Sequence, residues 1–168
     1  LPAKHKMMAP RYQEIPEADS PTVERDGVWA RVIAGECLGV TSSIDTVIPI
    51  SLIHVKMEEG AVLDQTIASG LNGMIYVFSG SIRVNDQLSV RKQPMPFGIG
   101  IKQQVSDGEL ALLSDGETVE ITCDSPCDLL ILAGPEIDEP IARYGPFVMN
   151  TREEIHQAVI DYQNGTFA

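Results

Sequence analysis

Imidazole is the first chemistry to seek in this chain of 168 residues, which holds three histidines, His5, His54 and His156. A chelating pair on one strand or helix places its histidines two to four residues apart, because only then do both rings reach one ion. No two of these three are that close. His54 shares an alternation face with Lys56 and reads as exposed or groove-lining, while His156 falls off the apolar stripe of its segment. Both read as surface histidines rather than ligands. Cys123 and Cys127 enclose Asp124, Ser125 and Pro126, a spacing that suits neither a zinc ribbon nor a thioredoxin-like pair. They are expected to flank a turn between two strands, with redox sensing as the alternative, and Cys37 is expected in the core. Glu117/Glu120 and Asp138/Glu139 read as solvated edges and loops. No G-x-S-x-G elbow, P-loop or dinucleotide fingerprint occurs. The pattern therefore assigns no catalytic, cofactor-binding or metal-binding residue.

The elements that would position such groups are mostly strands. In "VWARVIAGECLGV", Trp29, Arg31 and Ile33 alternate with Val28, Ala30 and Val32. In "VIPISLIHVKM", Ile53, Val55 and Met57 share one face, and Leu52, His54 and Lys56 the other. "GMIYVFSGSIRV" is rich in β-branched and aromatic residues and is interrupted at Ser79-Gly80, which predicts two strands and a tight connection. Further strands are expected at 109–113, 117–123 and 127–133, each bounded by turn residues. One helix stands out after residue 150. Thr151 and Glu154 form a capping box, Ile155, Val159 and Tyr162 recur at helical spacing, and Gly165 supplies the stop. That stripe is expected to pack across the outside of the strands. The chain thus divides into an extended arm over 1–22, a β-barrel over 23–149 and a C-terminal helix over 150–168.

Composition bounds the function. The net charge is −12 with no Lys/Arg cluster, so the basic surface that a direct nucleic-acid binder needs is missing. A hydrophobic content of 43% is enough to bury a core without staples. No apolar stretch approaches the eighteen or so residues of a membrane span, and three cysteines, an odd number, favour a reducing compartment over a disulfide framework. The start at Leu1 suggests a fragment, a processed chain or a gene model lacking its first codon.

Several segments resemble the pirin family of the cupin superfamily. "LPAKHKMMAPRYQEI" resembles the linker that leaves the first barrel of a pirin, "ARVIAGECLGV" resembles one of its strands, "YVFSGSI" resembles a cupin strand-turn-strand, and "EPIARYGPFVMNTREEIHQAVIDYQNG" resembles its closing segment. The likeness runs from Leu1 to Gly165 and is weakest over 85–108. It implies a mainly β fold, a cupin-type antiparallel barrel (jelly-roll) with a C-terminal α-helix, corresponding to the second barrel of a bicupin. The family's iron, held by histidines and a glutamate, would then belong to an N-terminal cupin domain absent from this chain. Where a metal-binding cupin places its His-x-His pair, this chain has Asp64, Gln65 and Thr66. The resemblance implies a structural and protein-interaction role in a pirin-like transcriptional co-regulator, cytoplasmic or nuclear. Its partners would be proteins, an N-terminal cupin half or a second copy of the chain. The alternative is a share in a pirin-like iron-dependent quercetin 2,3-dioxygenase, and a lone barrel binding a small apolar ligand is a third reading.

Overall fold

The computed structural model describes residues 1–85, 103–114 and 116–167, so most of the stretch where the resemblance is weakest lies outside the described residues. The chain divides into two compact units, Ile15–Pro135 and the pair of segments Leu1–Glu14 and Glu136–Ala168. The arm therefore contributes to both units, and it contains two single 3-10 turns, Ala3–His5 and Glu17–Asp19.

The larger unit is antiparallel β structure. Its strands are β1 (Thr22–Arg25), β2 (Val28–Ala34), β3 (Glu36–Cys37), β4 (Val40–Thr41), β5 (Ser51–Met57), β6 (Val62–Thr66), β7 (Leu71–Asn85), β8 (Gln104–Ser106), β9 (Leu110–Leu112) and β10 (Thr118–Pro135). The main sheet runs β1-β2-β5-β10-β7-β8, with β6 also paired to β10 and β9 to β7. Alternation decides which face is buried. Val28, Ala30 and Val32 of β2 and Ile53, Val55 and Met57 of β5 point inward, as their spacing predicts. They meet Leu63, Ile75, Val77, Ile82, Ile121, Leu129 and Ile131 in one core. Each large aliphatic side chain so buried stabilises the fold by about 1.5–3 kcal/mol.

Two predicted interruptions are absent. Ser79-Gly80 is not a hairpin turn, and 117–123 and 127–133 are not separate strands. β7 and β10 instead run through as one long antiparallel pair, with register shifts between Cys123 and Leu129. Inward residues of β7 are Ile75 and Val77 before the shift and Ile82 and Val84 after it, so the side-chain phase slips by one at Ser79–Gly80. A bulge of this kind bends the ribbon, and both of its halves then contribute to the common core. Gly80 is required there. It has φ +80°, and a Cβ would overlap the Pro126 carbonyl oxygen and lie 2.8 Å from Cys127 Cα. The turn-like composition that marked both sites is the signature of a bulge instead.

The smaller unit holds the hairpin β11 (Ala142–Tyr144) and β12 (Phe147–Met149), followed by α1 (Arg152–Gln163). The expected capping box is present. Thr151 Oγ1 accepts from Glu154 N at 3.1 Å, and Glu154 Oε2 accepts from Thr151 N at 2.9 Å and Asn150 N at 2.8 Å. Within this unit the helix packs on the hairpin. Ala158 is its buried residue, Ile155 and Val159 are half-buried, and Tyr162 is 67% exposed with its ring edge-on to Phe147 at 5.8 Å. A small residue at the centre of the contact lets the helix approach closely, so the large stripe residues lie at its margins.

Candidate functional site

The inward-facing side of the β-rich unit is the place to test for a metal. Leu63, Gln65 and Ile67 of β6 and its continuation are buried, while Asp64 and Thr66 face out. Gln65 is the polar exception in that core. Its Nε2 donates to the Glu36 and Thr66 carbonyls at 2.9 and 2.8 Å, and its buried Oε1 has no partner among the described residues. One neutral amide oxygen among aliphatics is a poor donor set for iron, which takes imidazole and carboxylate together. Among the described residues no three His, Cys, Asp or Glu side chains gather as a metal-sized group. The described interior residues do not fit the iron that the resemblance implies.

The histidines are dispersed. His5 ends a 3-10 turn and His156 lies exposed on α1, both in the smaller unit, whereas His54 is on β5. Its Nε2 lies 2.6 Å from Asp128 Oδ1 of β10, a geometry suited to N–H donation to the carboxylate. Asp128 was not singled out from sequence. The signal was present, because Asp128, Leu130 and Leu132 alternate with the buried Leu129 and Ile131 and so share the outer face.

Outward alternation on neighbouring strands assembles a continuous surface there. Register aligns Arg31, His54, Leu130, Tyr76 and Leu110 in one row across five strands. Leu52, Leu132, Met74 and Leu112 form the next. Aromatic rings cap it at one side: Trp29 meets His54 edge-on at 5.4 Å, His54 meets Phe78 at 6.5 Å, and Phe78 meets Tyr76 at 5.0 Å. Arg31 and Lys56 both sit 5.5 Å from the Trp29 ring centre, a cation–π arrangement. Phe78, Leu110 and Leu112 remain 48%, 51% and 40% exposed. Scattered exposed apolar residues need no explanation, but rows of neighbours mark an interaction surface. This face is the candidate functional site.

The thiols form a second cluster at the bulge. Cys123 Sγ donates to Ser125 O at 3.0 Å and lies 3.5 Å from Cys127 Sγ. Burial pushes the Cys127 thiol up to about 12, with its hydrogen bond to Cys123 adding to the rise. Burial alone pushes Cys37 up to about 11. Cys123 is also raised, by burial against the bonds it makes. These are protonated, buried thiols, and thiolate is the reactive form.

The family model of the pirin C-terminal cupin domain matches residues 52–168, which include all of β5 except Ser51 and run through α1. The chain belongs to the pirin family. It is 33% identical to mouse pirin over 166 residues, covering 98% of this chain and 53% of that protein. A pirin-like protein of Solanum lycopersicum is also 33% identical, with 98% and 53% covered. Among solved structures, a quercetin 2,3-dioxygenase from Acinetobacter baumannii is 29% identical with a TM-score of 0.81, covering all of this chain and 54% of that one. The chain thus spans about half the length of the curated relatives it matches. The expected mainly β cupin fold with a C-terminal helix holds for this pirin domain. Among its described residues no helix is long and apolar enough to cross a membrane.

Proposed function

We propose that this chain is a metal-free cupin half that works by docking, with its outer sheet face as the contact surface. The observation that carries this reading is the division of labour between its two faces. The inward face is filled by aliphatics, a methionine and three protonated thiols with one amide, while the outward face presents Trp29, His54, Tyr76, Phe78, Leu110 and Leu112 side by side. Interfaces draw their affinity from aromatic anchors surrounded by partly buried aliphatics, which matches that composition. The occupant is an N-terminal cupin half carrying the histidine set that this chain lacks. Such a pair would serve as a pirin-like transcriptional co-regulator in the cytoplasm or nucleus, binding proteins rather than nucleic acid. The test is titration of this chain against a separately expressed, histidine-bearing N-terminal cupin half. Saturable binding is expected. A chain that stays monomeric over a wide concentration range and ignores that half overturns the reading.

The likeness to the A. baumannii quercetin 2,3-dioxygenase favours a second reading, in which the same docking completes an iron-dependent oxygenase. Iron would then be absent from the isolated chain and flavonol oxidation would need the other half. Metal analysis after chelator dialysis separates the cases. Stoichiometric iron in this chain alone, lost on mutating His54, would place catalysis here.

A further inference from the structure

A pocket of about 380 Å³ opens at the margin of the sheet, between the 3-10 turn at Glu17–Asp19 and the residues after β4. Arg31 lines it together with Ser20, Ser42 and Ser43, and Ile15, Pro21 and Ile44 supply apolar wall. This size falls within the range of small-molecule sites, and the lining is divided evenly between apolar and polar residues, with one arginine among them. Arg31 stands at the end of one row of the outer face, but the docking role proposed above uses none of the pocket's other lining residues.

The state of Arg31 is the decisive feature. Its Nη2 donates to Glu17 Oε1 at 3.0 Å, while its Nε is buried without a hydrogen-bond partner among the described residues. Nε and Nη2 form one edge of the guanidinium, the fork that a carboxylate engages with both oxygens. Glu17 fills half of that fork. A buried N–H of a cation left unpaired costs free energy that a second acceptor would recover. Glu17 itself is 82% exposed at the side chain, so little packing opposes its departure. The Arg31 guanidinium carbon also lies 5.5 Å from the Trp29 ring centre, a cation–π contact that favours its present position.

We propose that this pocket binds a small monocarboxylate with an apolar body. Its two oxygens take Nε and Nη2 of Arg31, and Glu17 acts as the internal carboxylate it displaces. Ser43 and Ser20 supply hydroxyls at the rim, and Ile15, Pro21 and Ile44 cover the apolar body. Carboxylate and phosphate can both engage the fork with two oxygens, but a phosphate dianion meets the chain's net charge of −12 with twice the charge of a monocarboxylate.

The experiment is calorimetric titration of the whole chain with sodium benzoate, sodium butyrate and inorganic phosphate, repeated on Glu17→Gln and Arg31→Lys. Saturable one-to-one benzoate binding is expected, tighter by about threefold in Glu17→Gln because an exposed ion pair no longer competes. Arg31→Lys keeps the charge but removes the fork, and should weaken benzoate by at least about tenfold. Should Arg31→Lys fail to fold, the gain in Glu17→Gln still decides, since that side chain is exposed. Absence of saturable binding, benzoate binding unchanged or weakened by Glu17→Gln, a folded Arg31→Lys chain binding as well as the parent, or phosphate binding as tightly as benzoate each overturns the proposal.

Discussion

His54 and Asp128, separated by most of the barrel in sequence, meet at 2.6 Å between β5 and β10 on the outer sheet face. Both side chains are about one-third exposed or less, and the aromatic rings of Trp29 and Phe78 stand beside the imidazole. The pair therefore joins β5 to β10 at the aromatic side of the proposed docking surface without being buried in the core.

A double-mutant cycle on His54→Gln and Asp128→Asn should give a coupling energy of about 0.5–1 kcal/mol in chemical unfolding, typical of a partly solvated pair. The same substitutions should weaken docking of an N-terminal cupin half more than they weaken folding, because docking removes the remaining water. Coupling of several kcal/mol in the free chain would instead show that the pair is a pillar of the fold.

Phe78→Ser combined with Leu110→Ser should leave the circular dichroism and unfolding midpoint nearly unchanged, since both side chains are about half exposed. Binding to the N-terminal half should fall by at least about tenfold, as loss of aromatic and aliphatic anchors does at other interfaces. Retained affinity in a folded double variant would move the docking surface elsewhere.

Gly80→Ala tests the bulge. An alanine there must hold φ near +80° and push against Pro126 and Cys127 backbone, so a loss above about 2 kcal/mol is expected. Gly60 shares the positive φ but has open space around it, and Gly60→Ala should cost only about 1 kcal/mol. Equal losses in equilibrium denaturation would mean that the close approach at the bulge is unimportant.

The thiols set an alkaline limit. Cys37 and Cys127 hold their protons to about 11 and about 12 in the folded chain, against 9 for an ordinary thiol. Above pH 9 the unfolded chain has released protons that the folded chain keeps, so stability falls as pH rises toward those values. Their full contribution is present below pH 9. Each pK unit corresponds to about 1.4 kcal/mol, so the decline should reach several kcal/mol. Cys127→Val should remove part of it, measured as unfolding midpoint between pH 8 and 11. A valine variant with the parent's alkaline profile would place the decline in other groups.

Local spacing by itself determined much of this protein. The alternation of Ile53, Val55 and Met57 against Leu52, His54 and Lys56 needs only the two-residue period of a strand, and Thr151 with Glu154 specifies a helix start within four residues. Such features are legible because each is set by backbone geometry within a few residues. β6 escaped the reading because Gln65 occupies an inward position where an aliphatic would have marked the alternation. Ser79-Gly80 was legible as irregular but not as a bulge. A turn and a bulge both ask for glycine, and only the pairing of β7 with β10 tells them apart. The contacts at the two proposed surfaces join residues 74 and 14 positions apart, His54 with Asp128 and Arg31 with Glu17. Strand order and register bring those partners together, and these follow from the packing of the whole core rather than from any local run. Tertiary structure alone therefore decided which outward residues became neighbours, and left the Nε of Arg31 without a hydrogen-bond partner among the described residues.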